Sequence, residues 1–153
     1  MSKTLNPVDR WVIPTTWILS FLGLGLSIYL TIAHYAGAHV LACSSNGVVN
    51  CGLVITSPES YVFHIPVAIL GLVAFTGLIV INSPWGWRSP LRWIHVFRFY
   101  SIVASMIFVL YLVYCELIKL NHICEYCTFV HIVTLALLII LTRVAPRQLG
   151  WGE

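Results

Sequence analysis

Four apolar runs, each close to the thickness of a bilayer, constrain this chain more than any other feature. They predict membrane spans at about 15–36, 65–82, 97–117 and 124–144, with a long connecting loop over 37–64. A helix needs about 20 residues to cross roughly 30 Å of hydrocarbon. Hydrogen-bonded helices are the form such runs take in lipid, because every backbone polar group must find a partner inside its own segment. Composition agrees: 59% of the residues are hydrophobic and only 8% are charged, against about 25% charged in a soluble domain. No basic stripe tracks a nucleic acid, and there is no repeat or low-complexity segment. The expected fold is all-α: one integral-membrane four-helix bundle over 1–153.

The basic residues predict its orientation. Lys3 and Arg10 precede the first run, Arg88, Arg92 and Arg98 lie between the second and third, and Arg143 and Arg147 close the fourth. Of the eight basic residues only Lys119 falls on the other side. By the positive-inside rule both termini and the middle loop are cytoplasmic, with Trp85, Trp87 and Trp93 as an aromatic belt. The loop 37–64 is then periplasmic or extracellular, and the protein is a multi-pass component of the cell membrane.

That orientation gathers all five cysteines toward the outer side, where disulfides form and persist. Cys43 and Cys51 lie in the long loop. Cys124 and Cys127 form a CxxC at the mouth of the last span, and Cys115 lies near the outer end of the third. Residues three apart at a helix start rise about 4.5 Å relative to one another, within reach of a disulfide. A helix N-terminus carries partial positive charge and favours thiolate, so a CxxC there is chemically poised. Two dithiols outside a membrane suit a relay, in which exchange through mixed disulfides hands electrons from a soluble dithiol to the membrane pair. The membrane pair then needs a lipid-soluble acceptor of two electrons and two protons, and a quinone has that chemistry. The competing reading is a metal-handling protein that passes Cu(I) or Zn along its thiolates. With only Met1 and Met106 as methionines and no acidic residue deep in a span, that reading is the weaker one, and no resident metal is expected.

The C-x7-C loop after the first span, Ser57 six residues beyond Cys51 and the CxxC opening the last span resemble the vitamin K epoxide reductase family. The stretch "NCGLVITSPESYVFHIPVAILG" (Asn50 to Gly71) is similar to the loop and second helix of its bacterial members. The resemblance covers essentially the whole chain. It implies a quinone-dependent disulfide oxidoreductase that reoxidises a thioredoxin-like protein. The acceptor would be a membrane quinone, ubiquinone or menaquinone. It assigns Cys43 to the partner, Cys51 to exchange with Cys124, Cys127 to the quinone, and Ser57 to the quinone end of the site. Two positions depart from the animal enzymes. "IPVAIL" lacks the amide that hydrogen-bonds quinone there, and His131 replaces a tyrosine one turn beyond the CxxC. With no thioredoxin-like domain before Glu153, the partner is expected to be a separate protein.

His131 shares a helix face with Cys127 one turn deeper. A polar ring inside a span is a candidate quinone ligand or an interhelical hydrogen-bonding group. "SPESYVF" reads as a short helix, Ser57 as N-cap and Pro58 at N1, with Tyr61 to Phe63 dipping into the interface and Phe63 over the quinone. Cys115 reads as a packed side chain, and Glu116 with Lys119 as a surface pair of little consequence. "LGLGL" (Leu22 to Leu26) reads as a site of close helix approach.

Overall fold

The computed structural model describes residues 8–43 and 46–150; Lys3, counted among the cytoplasmic charges, lies outside them. Helix α1 covers Val12–Ala36, α2 Cys51–Thr56, α3 Val67–Ile81, α4 Pro84–Arg88, α5 Arg92–Tyr114 and α6 Glu125–Leu149. A π-helical turn, Cys115–Leu120, extends α5. Three helical stretches are long and apolar enough to cross a membrane, Val12–Ala36, Arg92–Leu120 and Glu125–Leu149, and α3 is a shorter apolar helix. Helix α1 packs on α3 and α6, and α5 packs on α6 and α3.

The surface of α1 is inverted relative to a soluble helix. Its buried stripe is largely small or polar, with Thr16, Ser20, Gly23 and Ser27 between Val12 and Leu30, while Ile18, Phe21, Leu22, Ile28 and Ile32 are exposed. In lipid, helices associate by close packing of small residues rather than by escape from water. The Thr16 and Ser20 hydroxyls donate to the carbonyls one turn back, at 2.9 and 2.7 Å, so these two are satisfied within their own helix. Gly23 has no room for a side chain, because a Cβ there would run into the Phe75 ring of α3. One glycine of "LGLGL" thus sets the close approach, and Gly25 meets nothing.

The second span is shorter than the sequence predicts. Ile65–Pro66, expected to open it, is a β-strand (β2) paired antiparallel with Tyr61–Val62 (β1). The 15 residues of α3 rise about 22 Å, short of a roughly 30 Å core. The "SPESYVF" helix is likewise cut back to a single 3-10 turn at Pro58–Ser60 before β1. The hairpin turns on Phe63 and His64, with φ of 50° and 66°. Positive φ at both central residues is the pattern of a type I′ turn, which Asn and Gly usually fill. For a bulky residue it is a strained conformation.

At the opposite end two charges of the sequence map change meaning. Arg98 is no loop residue; it lies inside α5 and is only 3% exposed. Its guanidinium sits 3.8 Å from the centroid of Trp87, donates to Ile81 O at 2.6 Å and bonds His95 Nδ1 at 2.9 Å. Trp87 is therefore buried, and of the expected belt only Trp85 and Trp93 face outward. Trp87 Nε1 donates to Thr16 at 3.3 Å and Asn82 Nδ2 to Ser20 at 3.1 Å, tying this end to the polar stripe of α1.

Candidate redox site

Cys43 and Cys51 are joined by a disulfide, and Cys115, Cys124 and Cys127 are free thiols. Cys51 opens α2, which Asn50 caps by accepting from Leu53 N at 3.0 Å. Two tyrosines brace the strand leading to Cys43. Tyr29 OH donates to Val40 O at 2.9 Å, Tyr126 OH donates to Ala42 O at 3.2 Å, and the two rings meet edge to face at 5.0 Å. The sequence carries no local signal for this brace, because its members come from α1, the loop and α6.

The loop pair is stitched to the CxxC by backbone. Val49 bridges Ile123 in parallel, with Ile123 N donating to Val48 O at 2.9 Å and Asn50 N donating to Ile123 O at 3.1 Å. Cys51 and Cys124 are the residues that follow these bonded positions. They share one buried cluster with Leu30, Ala33, Leu41, Val54 and Ile55, and Cys43 and Cys127 pack against it. Cys51 is 1% and Cys124 0% exposed. Cys124 is the N-cap of α6, its Sγ accepting from Cys127 N at 3.3 Å. The two thiols also interact directly.

Below the CxxC lies a cavity of about 360 Å³, within the range of sites that enclose a small organic ligand. Its walls are mainly apolar: Leu30 of α1, Val54 and Ile55 of α2, Leu70, Ala74 and Phe75 of α3, Phe108 and Leu112 of α5, and Val130 of α6. Cys127, His131, Ser57, Cys115 and Glu116 also line it.

The expected site residues separate in the structure. The four cysteines come together, and Ser57 and His131 reach the cavity. Phe63 does not line it; the side chain stands at the hairpin tip, 90% exposed. Ser57 occupies the expected N-cap position, yet its hydroxyl does not cap. It donates back to Val54 O at 2.8 Å. The His131 ring has no hydrogen-bond partner among the described residues, so the interhelical bond that could have explained it is not made. Cys115 is packed as expected but also forms part of the wall.

Two residues that sequence reasoning passed over belong here. His34 closes the outer rim: Nδ1 lies 2.8 Å from Ile55 O and Nε2 2.9 Å from Tyr61 OH. A carbonyl can only accept, so Nδ1 carries the proton and Tyr61 donates to Nε2. Glu116 is no surface residue. It is 6% exposed and lines the cavity together with Cys127. A sequence profile of the vitamin K epoxide reductase family matches residues 14–142, which span every cysteine and cavity residue above. By that match the chain belongs to the vitamin K epoxide reductase family and is a membrane thiol–disulfide oxidoreductase.

Proposed function

We propose that this protein is a four-helix membrane bundle with both termini cytoplasmic, which carries electrons from a separate thioredoxin-like protein outside the cytoplasm to a membrane quinone. Reduced partner attacks Cys43 of the Cys43–Cys51 disulfide, and the partner leaves oxidised. The released Cys51 thiolate attacks Cys124 of a Cys124–Cys127 disulfide and frees Cys127, and Cys43 then attacks Cys51 of the mixed disulfide, closing Cys43–Cys51 and leaving Cys124 and Cys127 reduced. Cys127, as thiolate, then delivers two electrons to the quinone, and the Cys124–Cys127 disulfide re-forms. Each exchange forms one S–S bond as another breaks. Ser57 and His131 are the polar contacts proposed for the quinone oxygens. The Ser57 proton is committed to Val54 O, so that hydroxyl is free to accept from a quinol, whereas His131 is free to donate. Phe63 is proposed as an anchor of the hairpin in the lipid interface rather than as a wall of the quinone site.

The observation that carries this reading is the backbone pairing of Val49 and Asn50 with Ile123. It sets a closed disulfide against an open CxxC whose second thiol faces an apolar cavity. The metal-handling alternative loses ligands to that same disulfide. Among the described residues no three His, Cys, Asp or Glu side chains converge as a metal site would need.

The test is quinone reduction by the purified full chain in detergent, with a small dithiol as donor. Wild type is expected to turn over and Cys127→Ala to fall to background. A wild type inactive with both quinone classes, or a Cys127→Ala variant that turns over normally, would overturn the proposal.

A further inference from the structure

The polar groups on the cavity wall are of two kinds. Ser57, Ser105 and Thr134 each donate to a backbone carbonyl of their own segment, at 2.8, 2.8 and 2.9 Å, so their protons are committed. His34 is held at both nitrogens by Ile55 O and Tyr61 OH. Besides the cysteines, three titratable side chains line the cavity without such commitments: His131, Glu116 and the part-exposed Glu59.

Glu116 shares its wall of the cavity with the redox pair. It is 6% exposed and lines the same opening as Cys127, and its carboxyl interacts electrostatically with the Cys124 main-chain N–H and the Cys127 thiol. The π-helical turn brings it there. Over Cys115–Leu120 the helix carries an extra residue per turn, and such turns recur at functional sites. His122 N closes the turn on Glu116 O at 3.1 Å, and Asn121 adopts the left-handed conformation that ends it. A carboxyl buried at membrane depth is expensive and marks proton relays in other membrane proteins.

We infer that Glu116 is the proton acceptor of the Cys124–Cys127 pair and carries its protons to the electron acceptor. This rests on the thiol-to-quinone reading above. When the pair closes, one S–S bond forms, two S–H bonds break, and two electrons pass to the quinone. The Glu116 carboxylate first takes the Cys127 proton, which leaves the thiolate that reduces the quinone, and then the Cys124 proton, and it releases each to a quinone oxygen, so two O–H bonds form and the carboxylate is regenerated. Transfer through a positioned side chain is worth about 10²–10⁴-fold in rate.

Glu116→Gln tests this, because the amide matches the carboxyl in size and polarity but takes no proton. Quinone turnover driven by a small dithiol is expected to fall by about 100-fold or more. The KM for quinone should stay within about threefold. A second readout needs no quinone. Starting from protein with Cys43–Cys51 closed and Cys124 and Cys127 reduced, diamide closes the CxxC by taking up its two electrons and two protons. Closure should be about 100-fold slower in Glu116→Gln than in wild type at neutral pH, and high pH, which ionises the thiols without help, should restore it. Turnover of Glu116→Gln within about threefold of wild type, or closure by diamide at the wild-type rate, would overturn the inference. Glu116→Asp guards against a folding defect: it keeps a carboxyl and should turn over faster than Glu116→Gln, and equal loss in the two also overturns it. If wild type reduces no quinone, the functional reading fails instead, and the diamide closure rate still decides whether Glu116 takes protons from the thiols.

Discussion

The two ends of the helix assembly bury polar groups to opposite purposes. At the end proposed to be inner, Arg98, His95, Trp87, Asn82, Ser20 and Thr16 bond to one another and to backbone carbonyls, with almost no space between them. At the end proposed to be outer, Cys127, His131 and Glu116 face an opening of about 360 Å³. A polar group satisfied by a fixed neighbour rigidifies its surroundings. One that faces an opening can exchange partners with a ligand. The inner cluster is therefore read as structure and the outer one as chemistry, and substitutions at each end can break that division.

The largest expected effect is at Cys127. Cys127→Ala should abolish quinone reduction with either donor while leaving thermal unfolding in detergent nearly unchanged, since the half-buried side chain loses only its sulfur. A variant that unfolds far earlier would instead make the CxxC a structural element.

Cys43→Ala should separate the two steps of the relay. Turnover driven by a protein dithiol is expected to collapse, while a small dithiol that reaches the CxxC directly should still reduce quinone through it. Equal loss in both assays would refute the order of transfer, because it would mean the loop pair is needed even when no large donor has to be met.

Arg98→Met reverses the pattern. It removes the donors to Ile81 O and His95 and the cation over Trp87, a loss of about 2–3 kcal/mol. Thermal unfolding should move down accordingly, with small-dithiol turnover unchanged at temperatures where the protein is folded. A matching drop in turnover would show that the inner cluster is coupled to the cavity and is not a separate anchor.

What could be read from the sequence follows the same division. The apolar runs and the CxxC at a helix mouth are local patterns, and three long apolar helices with Cys124 as N-cap of the last follow from them. Arg98 looked like a loop charge because the groups that satisfy it are assembled from α3, α4 and α5, and no local pattern joins them. Glu116 looked like a surface charge because it stands at the end of a span, where charged side chains usually reach water, and no local pattern shows that the π-helical turn there lines a cavity. The hairpin was hidden because Phe63 and His64 fill a turn that Asn-Gly would have advertised. Ile65–Pro66 consequently read as the start of a span.

The smallest effect is expected at the ion pair between Asp9 and Arg147. Arg147 Nη1 lies 3.9 Å from Asp9 Oδ2, with the two side chains 63% and 59% exposed. A pair so wet and so long gives back most of its Coulomb energy to solvation and side-chain entropy. A double-mutant cycle over Asp9→Ala and Arg147→Ala should therefore report a coupling below about 0.5 kcal/mol, fading further in salt. Coupling above about 1 kcal/mol would mean that surface charge stabilises the inner end alongside the buried cluster. The value of Arg147 then lies in its sign rather than its partner. As one of several cations on one side it helps set which way the helices cross, and orientation is a sum over such residues. Replacing Arg147 alone should leave that sum, and with it the side on which the cysteines stand, unchanged when loop cysteines are labelled from outside intact cells.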